Sequence, residues 1–377
     1  MDTNSLIIKE VKTNKQQKDF FRVPLFVYAD SKAYIRPLDK DIENIFNPKV
    51  NENFKYGKAI RWVVYENSKP VGKIAAFYSQ KPGEMATAGI GFFDSIQNQK
   101  VAYLLLDTAK NWIKSNGFDS FIGPINFGER DSFWGLLVKG FHESPSYGQN
   151  YNPPYYQSFF EEYGFIIDFE QTTSKITLAN FETNKFETVS KRVFANPNYK
   201  ILSANEISRE KLCNDFLHIY NTTWPTVYEN FKPLDKKNFL SIMSKMLQVA
   251  HKELNLILYE KQEPIGFFIT IMDVNQIFRK FNGKLGLIQK IQFLLSFNKI
   301  NKVKGLVFGV VPSKHNLGLE VALLYEMYRI LRKEKFKHIE TAELAWVGSF
   351  NPKMLALFNK LKVEENKKHI TYRYNFN

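Results

Sequence analysis

"YENSKPVG", from Tyr65 to Gly72, and "YEKQEPIG", from Tyr259 to Gly266, stand 194 residues apart and share Tyr-Glu, a Pro, a β-branched residue and a Gly. Turn chemistry accounts for part of the match, because Pro presets φ and Gly accepts positive φ in a tight reversal. The flanks account for more. "RWVVYENSKPVGKIAAFY" (Arg61–Tyr78) and "LNLILYEKQEPIGFFITIM" (Leu254–Met272) each read apolar strand, polar turn, apolar strand. A match at about half the chain length points to a domain written twice rather than to a solenoid.

Composition agrees with two domains. The 377 residues are 44% hydrophobic and include 34 Phe and 19 Tyr, ample for two cores. Met1–Lys18 is mostly polar, which predicts no cleaved leader. A lone cysteine, Cys213, excludes an internal disulfide and a cysteine-based zinc site, so a reducing, cytoplasmic setting is expected. The histidines show no shared metal spacing. The charge is uneven: residues 1–185 carry 22 Lys and Arg against 21 Asp and Glu, the remainder 30 against 17. Val274–Leu319 has no acidic residue and eight basic ones, a stretch suited to a cofactor phosphate, a nucleic acid or an acidic membrane surface, or to plain solvation.

Beyond each hairpin the element order repeats. "AGIGFFDSI" (Ala88–Ile96) reads as a buried strand and "NQKVAYLLLDTAKNWIKSNGF" as an amphipathic helix, followed by the strand "DSFIGPIN", an Asn-Pro helix from Asn152 and the closing strand "IIDFEQTTSKITL". The second half offers "GLVFGVV" (Gly305–Val311), a helix over 318–335, "HIETAELAW", an Asn-Pro helix from Asn351 and the closing strand "HITYRYNF". The predicted organisation is an N-terminal domain over 1–178, a polar linker over 179–200 and a C-terminal domain over 201–377 with an insertion at 275–304.

This order resembles the GNAT superfamily of acyl-CoA-dependent N-acyltransferases, present twice. It is most similar to a tandem group of bacterial proteins carrying "GPIN", "WGLLVKGF" and "YNPPYY" in the first half and "DVNQIFRKFNG" and "AELAWVGSFNPKM" in the second. The resemblance implies an α/β fold of two tandem GNAT-like domains, each a mixed, mostly antiparallel central sheet flanked by helices. It also implies acetyl-CoA or another acyl-CoA as co-substrate, with its pyrophosphate at a helix start, where backbone amides and the helix dipole favour an anion.

Family positions carried onto this chain place the cofactor loop in the second half at Val310, Val311, Lys314, His315, Asn316, Leu317, Gly318 and Leu319, with Asn351 opening the last helix. Glu320 replaces the small residue expected after Gly318, and the first half has no glycine in "DSIQNQKVAYL". The tyrosine that protonates the departing thiolate in the family is Phe358 here, and Phe160 in the first half. A carboxylate, directly or through a water, is the usual group to take the proton of the attacking amine, and Glu343 and Asp273 are the candidates, each with a structural alternative as an ion-pair partner or turn cap. Trp224, Tyr228, Asn230, Asn275 and Trp346 are the candidate acceptor contacts, although packing explains the aromatic ones equally well.

The insertion places Leu287, Ile288, Ile291, Leu294, Leu295 and Phe297 on an apolar face with Lys290 and Lys299 at its edges. Such a helix suits a membrane surface, a hydrophobic substrate or the neighbouring domain. Three functions remain open: acyl transfer to a small-molecule or peptide amine by the C-terminal domain, a Fem-like transfer from charged tRNA, and a non-catalytic binding module.

Overall fold

The computed structural model describes residues 5–83, 85–128, 132–226, 233–360 and 363–376. Along the chain the elements are β1 (Leu6–Glu10), α1 (Asn14–Val27), α2 (Asp39–Ile45), β2 (Gly57–Glu66), β3 (Lys69–Ser79), β4 (Thr87–Ser95), α3 (Gln99–Ser115), β5 (Ser120–Gly123), β6 (Leu136–Lys139), α4 (Tyr156–Tyr163) and β7 (Ile166–Thr177). They continue with α5 (Asn184–Phe194), β8 (Tyr199–Ser203), α6 (Arg209–Thr223), α7 (Lys236–Met246), β9 (Leu256–Glu260), β10 (Glu263–Met272), α8 (Asn275–Phe278) and α9 (Leu287–Ser296). The last are β11 (Lys302–Val310), α10 (Leu319–Leu331), β12 (Thr341–Glu343), β13 (Val347–Gly348), α11 (Pro352–Lys360) and β14 (Glu364–Asn375).

Two compact units form, and they are not the two halves of the sequence. Unit 1 comprises Met1–Thr172, Ile277–Leu294 and Asn366–Asn377; unit 2 comprises Thr173–Gln276 and Leu295–Glu365. In unit 1, β1, β2, β3 and β4 pair antiparallel in order, β4 pairs parallel to β5, and β5 pairs antiparallel to β14. In unit 2, β8, β9, β10 and β11 pair antiparallel in order, β11 pairs parallel to β12, and β12 pairs antiparallel to the end of β7. Each sheet is mixed and mostly antiparallel, and the two follow one plan. The closing strands are exchanged: β14, from the end of the chain, completes unit 1, and Lys175–Thr177 of β7 completes unit 2. A boundary at residue 178 therefore describes the order of the elements but not the units. The expected linker over 179–200 is also structured, since α5 lies within it and packs along α10.

The repeated string is a bulged hairpin. Tyr65 faces Pro70 and Val64 faces Gly72, so Val71 is the extra residue; Tyr259 faces Pro264 and Leu258 faces Gly266, leaving Ile265 extra. The Tyr hydroxyl makes the same contact in both copies. Tyr65 donates to Asp19 of α1 at 3.0 Å, and Tyr259 donates to Asp215 of α6. Asp19 is also paired with Arg22, and Asp215 with Lys211. Burial and the neighbouring carboxylate push the Tyr65 phenol up to about 12, and they push Tyr259 in the same direction.

The helices behind each crevice are placed by their apolar faces. In α3, Val101, Ala102, Leu105, Leu106, Ala109 and Ile113 are fully buried at helical spacing, each large one worth about 1.5–3 kcal/mol of burial. In α10 the matching set is Ala322, Leu323, Met327, Ile330 and Leu331.

Candidate functional site

In unit 2 the parallel pairing of β11 with β12 lasts three residues: Lys302 opposite Thr341, Val303 opposite Ala342 and Lys304 opposite Glu343. The chain after Glu343 then leaves β11, with the Leu344 amide donating to the Ser174 carbonyl at 2.8 Å. β11 runs on to Val310, and among the described residues no strand pairs with that edge beyond Lys304. A bulge helps to splay it: Thr270 faces Gly305 but Ile269 faces Val307, so Leu306 is extra.

The end of β11 leads through a short turn to Gly318, which has φ of +83° and precedes α10. The first helical bond of α10 runs from the Ala322 amide to the Gly318 carbonyl at 3.0 Å, and among the described residues no side chain caps the amides before it. An uncapped helix start of this kind favours an anion. Gly318 is required twice over, by its left-handed backbone and because a Cβ there would lie 2.7 Å from Val189 of α5. Arg192 of the same helix brings its guanidinium to within 3.5 Å of that Cβ position and is exposed.

The residues expected to hold the anion behave differently from one another. Val310, Val311, Asn316, Leu317 and Leu319 lie on the strand end, the turn and the helix start as the spacing requires. Lys314 is drawn away to Glu260 at 2.6 Å, and the His315 ring lies 2.9 Å from the Val310 carbonyl. In this arrangement Arg192 is the cation beside Gly318. No sequence motif points to Arg192, which lies in the segment 179–200 that composition predicts as a linker.

Glu343 and Asp273 come together around one lysine. Lys302 Nζ is 2.7 Å from Glu343 Oε2 and 3.6 Å from Asp273 Oδ2, and both carboxylates are buried. Glu343 also lines a small cleft whose other walls are mostly apolar, among them Phe268, Val303, Leu324, Met327 and Leu331. Asn275 is buried. Trp224 stacks on Tyr220 at 4.6 Å and its ring covers Gly309 of β11. Trp346 packs edge-on to Phe350, and the Asn351 side chain accepts from the Met354 amide at 3.2 Å, capping α11. Tyr228 and Asn230 lie outside the described residues. Phe358 and Phe160 are buried, the latter against Phe93, Phe165 and Tyr372, so core packing explains both in place of tyrosine.

The equivalent crevice of unit 1 is filled by the chain itself. The Ile125 amide donates to the Ile90 carbonyl of β4 at 2.8 Å, and Gly91 passes so close that a Cβ would lie 1.8 Å from the Ile125 oxygen. At the end of β4, the Ser95 amide donates to the Tyr156 hydroxyl at 2.6 Å, and the Ser95 carbonyl accepts from Tyr155 at 2.9 Å and Tyr156 at 3.0 Å. Asn98 caps α3 by accepting from the Lys100 amide at 3.0 Å.

Unit 1 instead carries a pocket lined by Tyr28, Tyr34, Tyr151, Lys73 and Asp94 among others. Lys73 Nζ is 3.1 Å from Asp94 Oδ2, and the Tyr28 hydroxyl donates to Asp94 Oδ1 at 2.6 Å. Burial pushes the Asp94 carboxyl up and the Lys73 ammonium down, each opposed by the other's charge. The sequence held a signal for this pair: a lysine inside the apolar run "VGKIAAF" and an aspartate inside "GIGFFDSI".

No protein-family model matches the chain. Protein YghO of Escherichia coli (strain K12) is 20% identical over 383 residues, 97% of this chain and 94% of that protein. A bacterial ceramide synthase of Caulobacter vibrioides (strain NA1000 / CB15N) is 23% identical over 287 residues, 74% of this chain and 73% of that protein. Among solved structures, a tandem GNAT protein from the clavulanic acid biosynthesis pathway superposes with a TM-score of 0.58 at 9% identity, covering 98% of both chains. A GCN5-related glucosamine N-acetyltransferase region of a fungal multi-domain β-N-acetylglucosaminidase gives 0.60 at 11% identity over 98% of this chain, which spans 38% of the fungal one. With the repeated sheet order, these likenesses establish the fold: the chain folds as two tandem GNAT-like domains.

Proposed function

We propose that the protein is an acyl-CoA-dependent N-acyltransferase whose acyl donor binds unit 2 and whose acceptor is the amine of a long-chain amino alcohol. The carrying observation is the β11 edge beyond Lys304, which among the described residues pairs with no strand and leads to an uncapped α10 start at Gly318. The backbone groups of that edge before Val310, whose carbonyl His315 already reaches, suit an amide-bearing pantetheine arm, and the α10 amides with Arg192 suit a pyrophosphate. The side chains around Glu343 are mostly apolar, which suits an uncharged acyl group. The name of the Caulobacter relative supports the acceptor, a ceramide being the amide of a fatty acid with a long-chain amino alcohol.

Bound acyl-CoA would supply a thioester carbonyl. The acceptor nitrogen forms the new C–N bond as the C–S bond breaks, and the nitrogen's proton passes to the carboxylate pair of Glu343 and Asp273. With phenylalanine at position 358 no tyrosine protonates the sulfur there. A thiol of ordinary acidity, near about 8.5, leaves as the thiolate without one.

Thermal unfolding with acyl-CoA of graded chain length tests the reading. At a hundredfold excess over Kd the expected stabilisation is about 2.7 kcal/mol, seen as a rise of a few degrees in Tm. An unchanged Tm with every chain length, together with no amide product from amino-alcohol acceptors, overturns it.

A further inference from the structure

The helix α9 is turned inside out relative to an ordinary surface helix. Leu287, Ile288, Ile291, Leu294 and Leu295 recur at i, i+1, i+4, i+7 and i+8, the spacing of one face. That face should be buried, yet the five side chains are 80%, 68%, 59%, 73% and 74% exposed. The opposite side holds the helix down: Phe293 packs on Phe278 at 5.8 Å, and Phe278 packs in turn on Phe281 and Tyr147. Five large aliphatic residues on one short helix make a contiguous apolar patch of the kind that marks an interaction site.

Charge identifies the partner. Lys290 borders the apolar stripe, Lys280 and Lys284 precede the helix and Lys299 follows it; all four are exposed and form no ion pair among the described residues. No acidic residue occurs from Val274 to Leu319. A second copy of the chain meeting this face about a two-fold axis would set lysine against lysine. An anionic lipid surface satisfies both features, taking the aliphatic side chains below its headgroups and the ammonium groups among them.

We infer that α9 is a membrane-docking helix that seats the protein on an anionic bilayer. Among the described residues no helix is long and apolar enough to cross a membrane, so the attachment is peripheral. The inference stands apart from acyl transfer, because lipid binding is read without any acyl-CoA.

The test is cosedimentation of the full chain with phosphatidylcholine vesicles and with vesicles in which about 30% of the lipid is phosphatidylglycerol. Binding to the anionic vesicles should exceed that to the neutral ones at least about tenfold at low salt and should fall as salt rises. The variant Ile288→Ser/Ile291→Ser/Leu294→Ser and the variant Lys284→Glu/Lys290→Glu/Lys299→Glu should each lose that binding. Both should melt like the parent protein, since the altered side chains are exposed. Failure of the parent to pellet with anionic vesicles overturns the inference, as does full binding by the serine variant. So does a dimer in sedimentation velocity that the serine variant converts to monomer, which would give the face to a second copy.

Discussion

β4 in unit 1 and β11 in unit 2 occupy the same place in the same sheet plan, and each carries a bulge near the point where parallel pairing ends. In unit 1 the space beyond is taken by Ile125, Tyr155 and Tyr156, and Asn98 caps the following helix. In unit 2, among the described residues, no strand pairs with that edge beyond Lys304 and no side chain caps the helix start. Contacts that hold the scaffold have stayed alike: the bulged hairpin and the Tyr–Asp pair, Tyr65 with Asp19 and Tyr259 with Asp215, occur in both. Losing a scaffold contact costs stability in either copy, whereas a single donor of the kind proposed would need only one open crevice. Unit 1 satisfies its backbone groups internally, which avoids leaving them buried and unpaired.

The largest expected effect comes from the pair that unit 1 acquired. Lys73→Met leaves Asp94 buried with its Tyr28 hydrogen bond but without its cation, and should cost about 3–5 kcal/mol in urea unfolding. Lys73→Met/Asp94→Leu should be more stable than Lys73→Met alone, and neither should abolish the Tm rise with acyl-CoA. Loss of that rise in variants that remain folded would move the donor site to unit 1 and break the comparison.

Next in size is a pair of glycine substitutions. Gly91→Ala forces a methyl against the Ile125 carbonyl and should cost about 3 kcal/mol. In unit 2, Gly309→Ala meets Trp224 at an ordinary 3.4 Å and should change stability by less than about 1 kcal/mol. Equal costs would mean that the two crevices are equally tight.

Sequence carried the hairpins and the element order because both are local. Tyr, Pro and Gly at fixed offsets specify a bulged reversal wherever they occur, and the apolar spacing of α3 specifies its buried face. The exchange of closing strands was not legible. β7 and β14 each read as a strand, but nothing in a strand's own pattern says which sheet it joins. Arg192 was hidden for a related reason, since α5 is short and charged and its role depends on packing against α10. The basic pair "SKH" had the right composition for an anion site, yet Glu260 and the Val310 carbonyl occupy Lys314 and His315. Glu343 and Asp273 were singled out separately, and what joins them is Lys302, whose place at the start of β11 follows from the register with β12.

The smallest effect gives unit 2 a label of its own. His251 lies edge-on to Phe336 at 4.7 Å, and burial, aided by the charge of Lys335, lowers its pKa below the ordinary value. In the unfolded chain the imidazole takes a proton more readily than in the fold. Stability is therefore fully present above about pH 6.5 and declines as pH falls through the interval between the unfolded and folded values. Solvent screening keeps the contribution below about 1 kcal/mol. His251→Phe should flatten this part of the pH dependence when unfolding of unit 2 is followed, for instance by hydrogen exchange on β9 and β10. Amides of β2 and β3 in unit 1 should show no change on the same substitution if the units open separately. A matching loss of pH dependence in both sets would show that the exchanged strands couple the units into one cooperative transition.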